Sequence, residues 1–434
     1  MEIYVVKPGD TIMSISKAFG VTMDRIIQDN GLVNPNNLVP GQAIVIVYPT
    51  QTYTVQEGDT LGGIAELFDT SVIQLLRNNS FLSTREYIYP GETLVISYET
   101  NRQMITNGYA YPYIRRETLL KTLPYLTYLS IFNYQLTDEG NVISYNDDSE
   151  IIQLSKYYGT SPLLMISSVS PKGEPNIELI YKVLLNKNYQ DNLVNNILSI
   201  LKSSEYDGVN ILLSGINETN QNLYVSLLSD ISSTLNKEGY RFFVTINPNV
   251  KQIDDTISFE QIDYSLINPF VNGIIFLQYV WGTNTEPPAP VSSIYLLKTF
   301  VDYVISIVPS DKILLGTPLI GYDWELPFVQ GTSRAYSLTL DSAVILARDT
   351  DSTIQFDEVS QSPYFNYIFS YPDYQINHIV WFLDARGIRA LCNLINDYSL
   401  LGSGMWNIMV YYQPMWTILN SQFELIKLLP DKLP

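Results

Sequence analysis

Apolar and polar positions divide the chain into two unlike parts. Up to about Tyr98, short alternating runs typical of strands enclose brief amphipathic helical stretches. Beyond it, longer apolar runs alternate with helical patterns such as 192–203 and 223–237. The first pattern predicts small modules, and the second predicts a parallel sheet connected by crossover helices.

The N-terminal part contains an internal repeat. The run 4–12, Tyr-Val-Val-Lys-Pro-Gly-Asp-Thr-Ile, recurs at 53–61 as Tyr-Thr-Val-Gln-Glu-Gly-Asp-Thr-Leu. In each copy two short helical patterns follow, the second ending at Asn30 or Asn79, and a Pro-Gly turn then precedes a last strand. Such self-similarity predicts two copies of one βααβ module, over 1–48 and 52–98.

The Gly-Asp-Thr turn of each module has a structural interpretation. Asp10 and Asp59 precede a helix, and a carboxylate there can accept hydrogen bonds from its free N–H groups. For these two residues alone we favour turn and cap over ligand contact.

Both copies resemble the LysM family, from Tyr4 to Ile46 and from Tyr53 to Ile96. The resemblance implies a shallow groove that binds N-acetylglucosamine chains of peptidoglycan or chitin, between the first loop and the loop before the last strand. The second copy departs from the first between Asn79 and Pro90. The groove residues that the resemblance implies are Gly9, Asp10, Thr11, Asn30 and Leu32 in the first module and Gly58, Asp59, Thr60 and Asn79 in the second.

The remaining region, 102–434, predicts a TIM (β/α)₈ barrel, which makes the fold class α/β. The stretch from about 322 to 384 is too long for a connection and predicts a small α+β insertion between the seventh strand and its helix. The eight predicted strands are Met104–Ala110, Tyr128–Asn133, Leu163–Ser168, Gly208–Leu213, Arg241–Asn247, Gly273–Tyr279, Lys312–Ile320 and Gly402–Trp406.

Four motifs in this region, at 107–112, 206–211, 321–324 and 380–386, resemble family 18 glycoside hydrolases. Within that family the chain resembles the LysM-bearing spore-cortex N-acetylglucosaminidases of endospore-forming bacteria, over essentially its whole length. The resemblance implies a substrate-assisted hydrolysis, in which the sugar's acetamido group attacks its own anomeric carbon. A Glu after the fourth strand donates the proton, and a nearby Asp holds the acetamide.

The acidic motif of that family is lost here. Asp207 is retained, and Asn210 stands where the spore-type enzymes commonly have Asn. Leu212 replaces the acetamide-holding Asp, and Ser214 replaces the general acid. Because a serine hydroxyl cannot act as an acid near neutral pH, a loss of ~10²–10⁴ in rate is expected from that change alone.

Two further acidic positions are expected to have become apolar, Val280 after the sixth strand and Leu383 near the insertion. Aromatic residues remain, and their ring faces can stack on sugars. The resemblance implies that Trp406 forms the floor of the cleft, and Tyr279, Tyr322 and Trp324 are candidate walls.

Composition narrows the possible partners. The net charge of -19 without a basic cluster argues against nucleic acid and against an anionic membrane surface. One cysteine and one histidine exclude an internal disulfide and a His-based metal site, so we predict no metal and no cofactor. Neither a signal peptide nor an apolar run of transmembrane length is visible, which predicts synthesis in the cytoplasm. The resemblance to the spore-cortex enzymes implies deposition on a spore, in the coat or cortex.

The sequence therefore predicts a glycan-binding pseudoenzyme of the spore or cell wall, with peptidoglycan or another N-acetylglucosamine polymer as its partner. Two alternatives stay open. One is an active N-acetylglucosaminidase that degrades cortex peptidoglycan with an unrecognised acid. The other is a self-assembling coat component that binds other spore-coat proteins, suggested by the 33 tyrosines.

Overall fold

The structure, a computed structural model, describes residues 1–85, 87–169, 175–248, 250–253, 256–277 and 283–433. Within these ranges the chain forms two βααβ modules, a closed parallel barrel and a smaller antiparallel sheet inserted into the barrel. No helix in these ranges has both the length and the apolar character needed to cross a bilayer.

The first LysM-like module pairs strand Glu2–Val5 antiparallel with strand Ala43–Ile46. Helices Ile12–Phe19 and Met23–Asn30 lie between them in sequence. Both helices end at a glycine in the left-handed conformation, where a side chain would be strained. The module has a small apolar core of its own, formed by Val6, Ile12, Ile15, Ile26, Ile44 and Ile46.

The second module repeats this architecture but shares its core with the barrel. Its strands are Gln51–Thr54 and Thr93–Ser97, and its helices are Leu61–Leu67 and Val72–Asn78. Its apolar side chains belong to the same buried cluster as those of the barrel's outer layer. The second module therefore cannot separate from the barrel without exposing that core.

The barrel consists of eight parallel strands, each paired with its neighbours. The first strand pairs with both the second and the eighth, which closes the barrel. The predicted fold class is thus confirmed, and strand ends differ from the predicted ones by a few residues. The strands are Arg102–Ala110, Tyr128–Leu136, Ser161–Ser167, Gly208–Leu212, Arg241–Ile246, Gly273–Phe276, Ile313–Pro318 and Gly402–Trp406.

Helices surround this barrel, and three short strand pairings supplement it. A strand at Val142–Ser144 pairs with the second barrel strand, Phe423–Leu425 pairs with the first, and Lys251–Ile253 forms a hairpin with Thr256–Ser258. The surrounding helices are Arg116–Thr122, Ser149–Tyr157, Ile177–Leu184, Lys187–Ser203, Gln221–Glu238, Ile294–Ile305, Ala385–Asp397 and Gln413–Gln422.

The inserted sheet follows the seventh barrel strand and has the α+β character expected from sequence. It is antiparallel, and helix Leu340–Asp349 interrupts the order of its strands along the chain. In chain order the strands are Gly321–Leu326, Tyr336–Leu338, Gln355–Asp357, Ser362–Ser370 and Gln375–Trp381.

The first module docks on the inserted sheet through backbone contacts. The Ile354 amide donates to the Pro40 carbonyl at 2.9 Å, and the Arg386 guanidinium donates to the Gly41 carbonyl at 3.2 Å. A side chain at Gly41 has no space, since its Cβ would lie 1.9 Å from the Ile354 carbonyl oxygen. The Pro-Gly turn that closes the module is therefore also its contact with the barrel domain.

This contact can be tested with a matched pair of variants, Gly41→Ala and Gly91→Ala. Both glycines have a positive φ, +86° and +91°, and both follow a proline, but a Cβ at Gly91 meets no atom within 4 Å. The left-handed conformation costs about 1–2 kcal/mol in each variant. We expect Gly41→Ala to lose more stability, with faster proteolysis between the first module and the rest. Equal thermal unfolding curves and digestion rates would contradict the docking.

Candidate glycan-binding sites

The Gly-Asp-Thr turn of each module is held by its aspartate and capped by its threonine. Asp10 accepts hydrogen bonds from the Tyr4 hydroxyl at 2.6 Å and the Lys7 amide at 2.8 Å, and the Tyr4 contact lowers the pKa of Asp10. The helix is instead capped by Thr11, whose Oγ1 accepts from the Ser14 amide. The predicted capping role of Asp10 is therefore wrong, because its carboxylate closes the preceding turn.

The second module has the same arrangement. Asp59 accepts from the Tyr53 hydroxyl at 2.9 Å and the Gln56 amide at 2.7 Å, and Thr60 caps the helix through the Gly63 amide. The capping prediction for Asp59 is corrected for the same reason.

Asn30 and Asn79 are structural clamps. The Asn30 amide donates to the carbonyls of Ile26 and Val45, and its oxygen accepts from the Val45 amide at 2.7 Å. Asn79 makes the equivalent three bonds, and the two side chains are 4% and 1% exposed. These bonds join the second helix to the last strand, and the place of both residues in a glycan-binding groove stays a prediction.

The exposed surface of the first module's groove consists of its two flanking loops. Gly9 and Thr11 are exposed, and Leu32 is partly buried. Met13 and Val33, which the sequence motif did not single out, are 53% and 77% exposed. Exposed apolar patches often mark the place where a partner or ligand binds. Their proximity to Thr11 and Leu32 in sequence was the signal that could have revealed them.

The second module presents a different surface at the equivalent loops. Gly58 and Thr60 are exposed, but Gly62 stands where the first module has Met13. Leu82, at the position of Val33, is 2% exposed. Tyr87 and Tyr89 are instead 70% and 57% exposed in the loop that departs from the first copy. The two modules therefore do not offer equivalent surfaces to a sugar chain.

Inside the barrel, the fourth strand points Asn210 and Leu212 inward, as strand alternation requires. Leu212 is 6% exposed and packs in an apolar group that we call the interior cluster. The interior cluster consists of Tyr109, Tyr128, Leu163, Met165, Val169, Leu212, Phe243, Ile275, Leu277, Leu314 and Trp406.

A polar layer crosses the barrel within the same interior. Asn210 donates to the Ser130 hydroxyl and accepts from the Thr245 hydroxyl, both at 2.9 Å. Tyr109 hydrogen-bonds to Thr245 at 2.7 Å, and burial raises the pKa of Tyr109. Asn210 is thus held by the protein itself and is completely buried.

The two ends of the former acidic motif lie apart from this layer. Asp207, just before the fourth strand, is 3.3 Å from the Lys156 ammonium. Ser214 follows the strand, and its carbonyl accepts from the Tyr224 hydroxyl at 2.6 Å. Asp207 therefore stabilises the barrel at the end opposite to the carboxyl ends of the strands, where substrates of such barrels bind.

The candidate cleft aromatics are more buried than expected. Trp406 is 8% exposed, and its ring centroid is 5.4 Å from that of Tyr109. Tyr322 and Trp324 are 6% and 2% exposed, and the Trp324 indole donates to the Glu286 carbonyl. Trp324 therefore offers no free ring face, which corrects its assignment as a wall. Tyr279 and Val280 lie outside the described residues.

Two other aromatic residues present partly exposed rings near this position. Tyr364 and Trp381 stack with centroids 4.5 Å apart, in register with Tyr322 across three strands of the inserted sheet. Paired residues share one face of a sheet, so these rings extend the face that Tyr322 begins. Trp381 lies in the motif at 380–386 but was given no role in the cleft, and Tyr364 lies in no recognisable motif.

Leu383 does not belong to the cleft. It is 1% exposed and packs in the outer core, where a Cβ added at Gly387 would lie 2.6 Å from it. The expectation that Leu383 marks a lost carboxylate facing or flanking the cleft is therefore wrong.

Metal and thiol chemistry have little basis in the described ranges. They contain no group of three or more His, Cys, Asp or Glu side chains that could hold an ion. Cys392 is buried, and burial raises the pKa of its thiol to about 12, which keeps it protonated and unreactive.

Comparison with known families decides the assignment of the barrel. The sequence profile described as glycosyl hydrolases family 18 matches residues 97–409, well over half of the chain. The chain belongs to this family. The LysM domain profile matches residues 4–47 and 53–97, so both N-terminal modules are LysM domains.

Several relatives share the whole domain arrangement. The cortical fragment-lytic enzyme of Bacillus anthracis is 30% identical over 433 residues, which cover 98% of this chain and 99% of that protein. The crystal structure of the Bacillus cereus spore cortex-lytic enzyme SleL has a TM-score of 0.80 at 27% identity and covers 99% of both chains. The corresponding SleL structure from Bacillus megaterium QM B1551 gives 0.78 at 29% identity, covering 98% of both chains.

The clamp role of Asn30 predicts a local loss of stability in Asn30→Ala. The change leaves the buried Val45 amide and carbonyl without partners, which costs about 3 kcal/mol. Hydrogen exchange of the peptide that contains Val45 should become on the order of 100-fold faster. Asn36→Ala, in the exposed loop that follows, is the matched control and should exchange like the wild type. Unchanged protection of Val45 in Asn30→Ala would refute the clamp.

Proposed function

We propose that this protein binds N-acetylglucosamine polymers, foremost peptidoglycan, through its LysM domains and does not cleave them. The observation that carries the proposal is Leu212, which stands in the interior cluster at the family's acetamide-holding position, with Ser214 at that of the general acid. The names of the relatives favour spore-cortex peptidoglycan as the polymer and the spore as the location.

The chemistry of the family explains why these two positions matter. Substrate-assisted hydrolysis needs a carboxylate that orients the acetamide and an acid that protonates the leaving oxygen. Leu212 can do neither, and it packs in the same cluster as Trp406, the expected floor of the sugar site. A sugar at that floor would therefore meet a hydrocarbon surface where the mechanism requires a charge.

An active N-acetylglucosaminidase is the second candidate, favoured by 30% identity to lytic enzymes over nearly the whole chain. It would need a substitute acid. Glu218 is exposed in the loop after the fourth strand. Glu325 is also exposed and accepts a hydrogen bond from the Tyr336 hydroxyl. It follows Trp324 in the same strand, so its side chain points to the opposite face of the inserted sheet. Both carboxylates lie in solvent, whereas a general acid of this kind is usually held in a desolvated pocket.

A turnover assay distinguishes the two candidates. The full-length protein, incubated with cortex fragments and chitin oligomers, should release no reducing sugar above the blank because both acidic groups are missing. The Bacillus anthracis cortical fragment-lytic enzyme is the positive control. Reproducible release that increases with protein concentration would overturn the non-catalytic assignment.

Binding is tested by sedimentation with purified peptidoglycan. The wild-type protein should sediment with the polymer, and the double variant Met13→Ser, Val33→Ser should bind about tenfold more weakly because it loses apolar contact in the first groove. Met23→Ser is the matched control, since Met23 is 42% exposed in the same module but begins the second helix. A wild-type protein that stays in the supernatant would refute the proposal.

A further inference from the structure

A crevice that opens to solvent, with a cavity volume of ≈ 70 Å³, separates the first LysM domain from the barrel. One wall is the LysM loop that contains Leu32 and Val33, and the other is formed by helix Leu340–Asp349 of the insertion and by Tyr412. We call it the junction crevice.

Two polar groups in the junction crevice have no partner. Among the described residues, no hydrogen bond or ion pair reaches the Asp341 carboxylate or the Tyr412 hydroxyl. Tyr412 is only 7% exposed, and it lines the crevice. The negative charge of the Asp341 carboxylate contributes to the raised pKa of Tyr412, which indicates that the two groups are close.

The other charged groups of the crevice are already neutralised. Arg348 is paired with Asp349 at 2.8 Å, and Asp384 is paired with Arg386 at 2.7 Å. Asp341 therefore stands out, and burial raises the pKa of its carboxyl to about 6. A desolvated carboxylate without a partner destabilises the fold, and such costs are often retained where a ligand supplies the partner.

The remaining surface of the crevice combines aliphatic side chains with the amide side chains of Asn34, Asn37 and Gln42. Leu32 of the LysM loop faces Val344 and Ile354 of the insertion across it. A site with one acceptor, one hydroxyl donor and an aliphatic wall matches an acetamido group. The amide N–H of such a group would donate to the carboxylate, its carbonyl would accept from the hydroxyl, and its methyl would contact the wall.

We propose that Asp341 and Tyr412 form a subsite for an N-acetylhexosamine residue, between the first LysM domain and the barrel. The inference rests on the proposed function and extends it. Leu32 and Val33 border both the LysM groove and the junction crevice, so a sugar chain that leaves the groove over this loop enters the subsite.

The path continues toward the second LysM domain. An adjoining crevice of ≈ 240 Å³ shares Asn30, Gly31 and Asp341 with the first and reaches Phe81 of the second domain. The ring of Phe81 lies 5.2 Å beneath the Arg85 guanidinium and is partly buried. Asp341 therefore lies where the two crevices meet, between the two LysM domains.

The experiment measures binding of N-acetylglucosamine hexamer to the full-length protein by calorimetry. Asp341→Asn and Tyr412→Phe each remove one polar contact at nearly constant shape, so both should lower the affinity roughly tenfold to a hundredfold. Asp373→Asn, in an exposed turn of the inserted sheet, is the control and should bind like the wild type. Cello-hexaose, which has no acetamido group, should show no difference between the wild type and either variant.

A second readout separates ligand binding from a structural role. Because the pKa of Asp341 in the fold lies above its unfolded value, the wild type loses stability as the pH rises through about 6. Asp341→Asn removes this loss, so it should unfold at a higher temperature than the wild type at pH 8 while binding hexamer more weakly. A variant that loses stability and affinity together would indicate a structural role and refute the subsite.

The remaining outcomes are also decisive. If the wild type binds hexamer and both variants bind equally well, the subsite is wrong and the proposed function stands. If the wild type binds neither hexamer nor peptidoglycan, the proposed function and the subsite both fail.

Discussion

The arrangement of the three domains depends on one buried guanidinium. Arg77, in the second helix of the second LysM domain, is 8% exposed and donates to the Leu425 carbonyl at 2.6 Å. Its own carbonyl accepts from the Tyr125 hydroxyl, and burial lowers the pKa of Arg77 to about 10. A cation buried among backbone dipoles requires its partners to stay in place. The first LysM domain is joined in turn to the second, through Arg25 and the carbonyl of Asn78.

The barrel interior is filled at the two inward positions of the fourth strand by one apolar and one polar side chain. The interior of a small barrel must be filled by side chains, whether or not it performs chemistry. Leu212 fills its position with an aliphatic side chain. Asn210 lies in the polar layer, where it hydrogen-bonds to Ser130 and Thr245. The two functions of the interior, packing and catalysis, are therefore separable at single positions.

Sequence patterns predicted the barrel, the repeat and the insertion, because strand alternation and helical period reflect burial directly. They could not assign residues whose role depends on a partner distant in the chain. From sequence alone, Asn30 could be a ligand-binding residue or a structural clamp. The structural role becomes visible only in the hydrogen bond that its side chain accepts from the Val45 amide. Leu383 follows a family motif but packs in the outer core. Asp341 carries no motif, and its significance arises from the docking of a domain more than three hundred residues earlier.

The Pro-Gly turn that fits against Ile354 has a consequence for how a polymer is held. Modules on a flexible tether sample many separations, and the second binding event then gains only the effective concentration that the tether allows. Here the first LysM domain contacts both the second domain and the insertion, so the two grooves have a single spacing and a single mutual angle. A sugar chain has a reducing and a non-reducing end. A rigid pair of the proposed grooves would therefore accommodate one chain polarity and one curvature, and binding would select strands of a wall by their geometry.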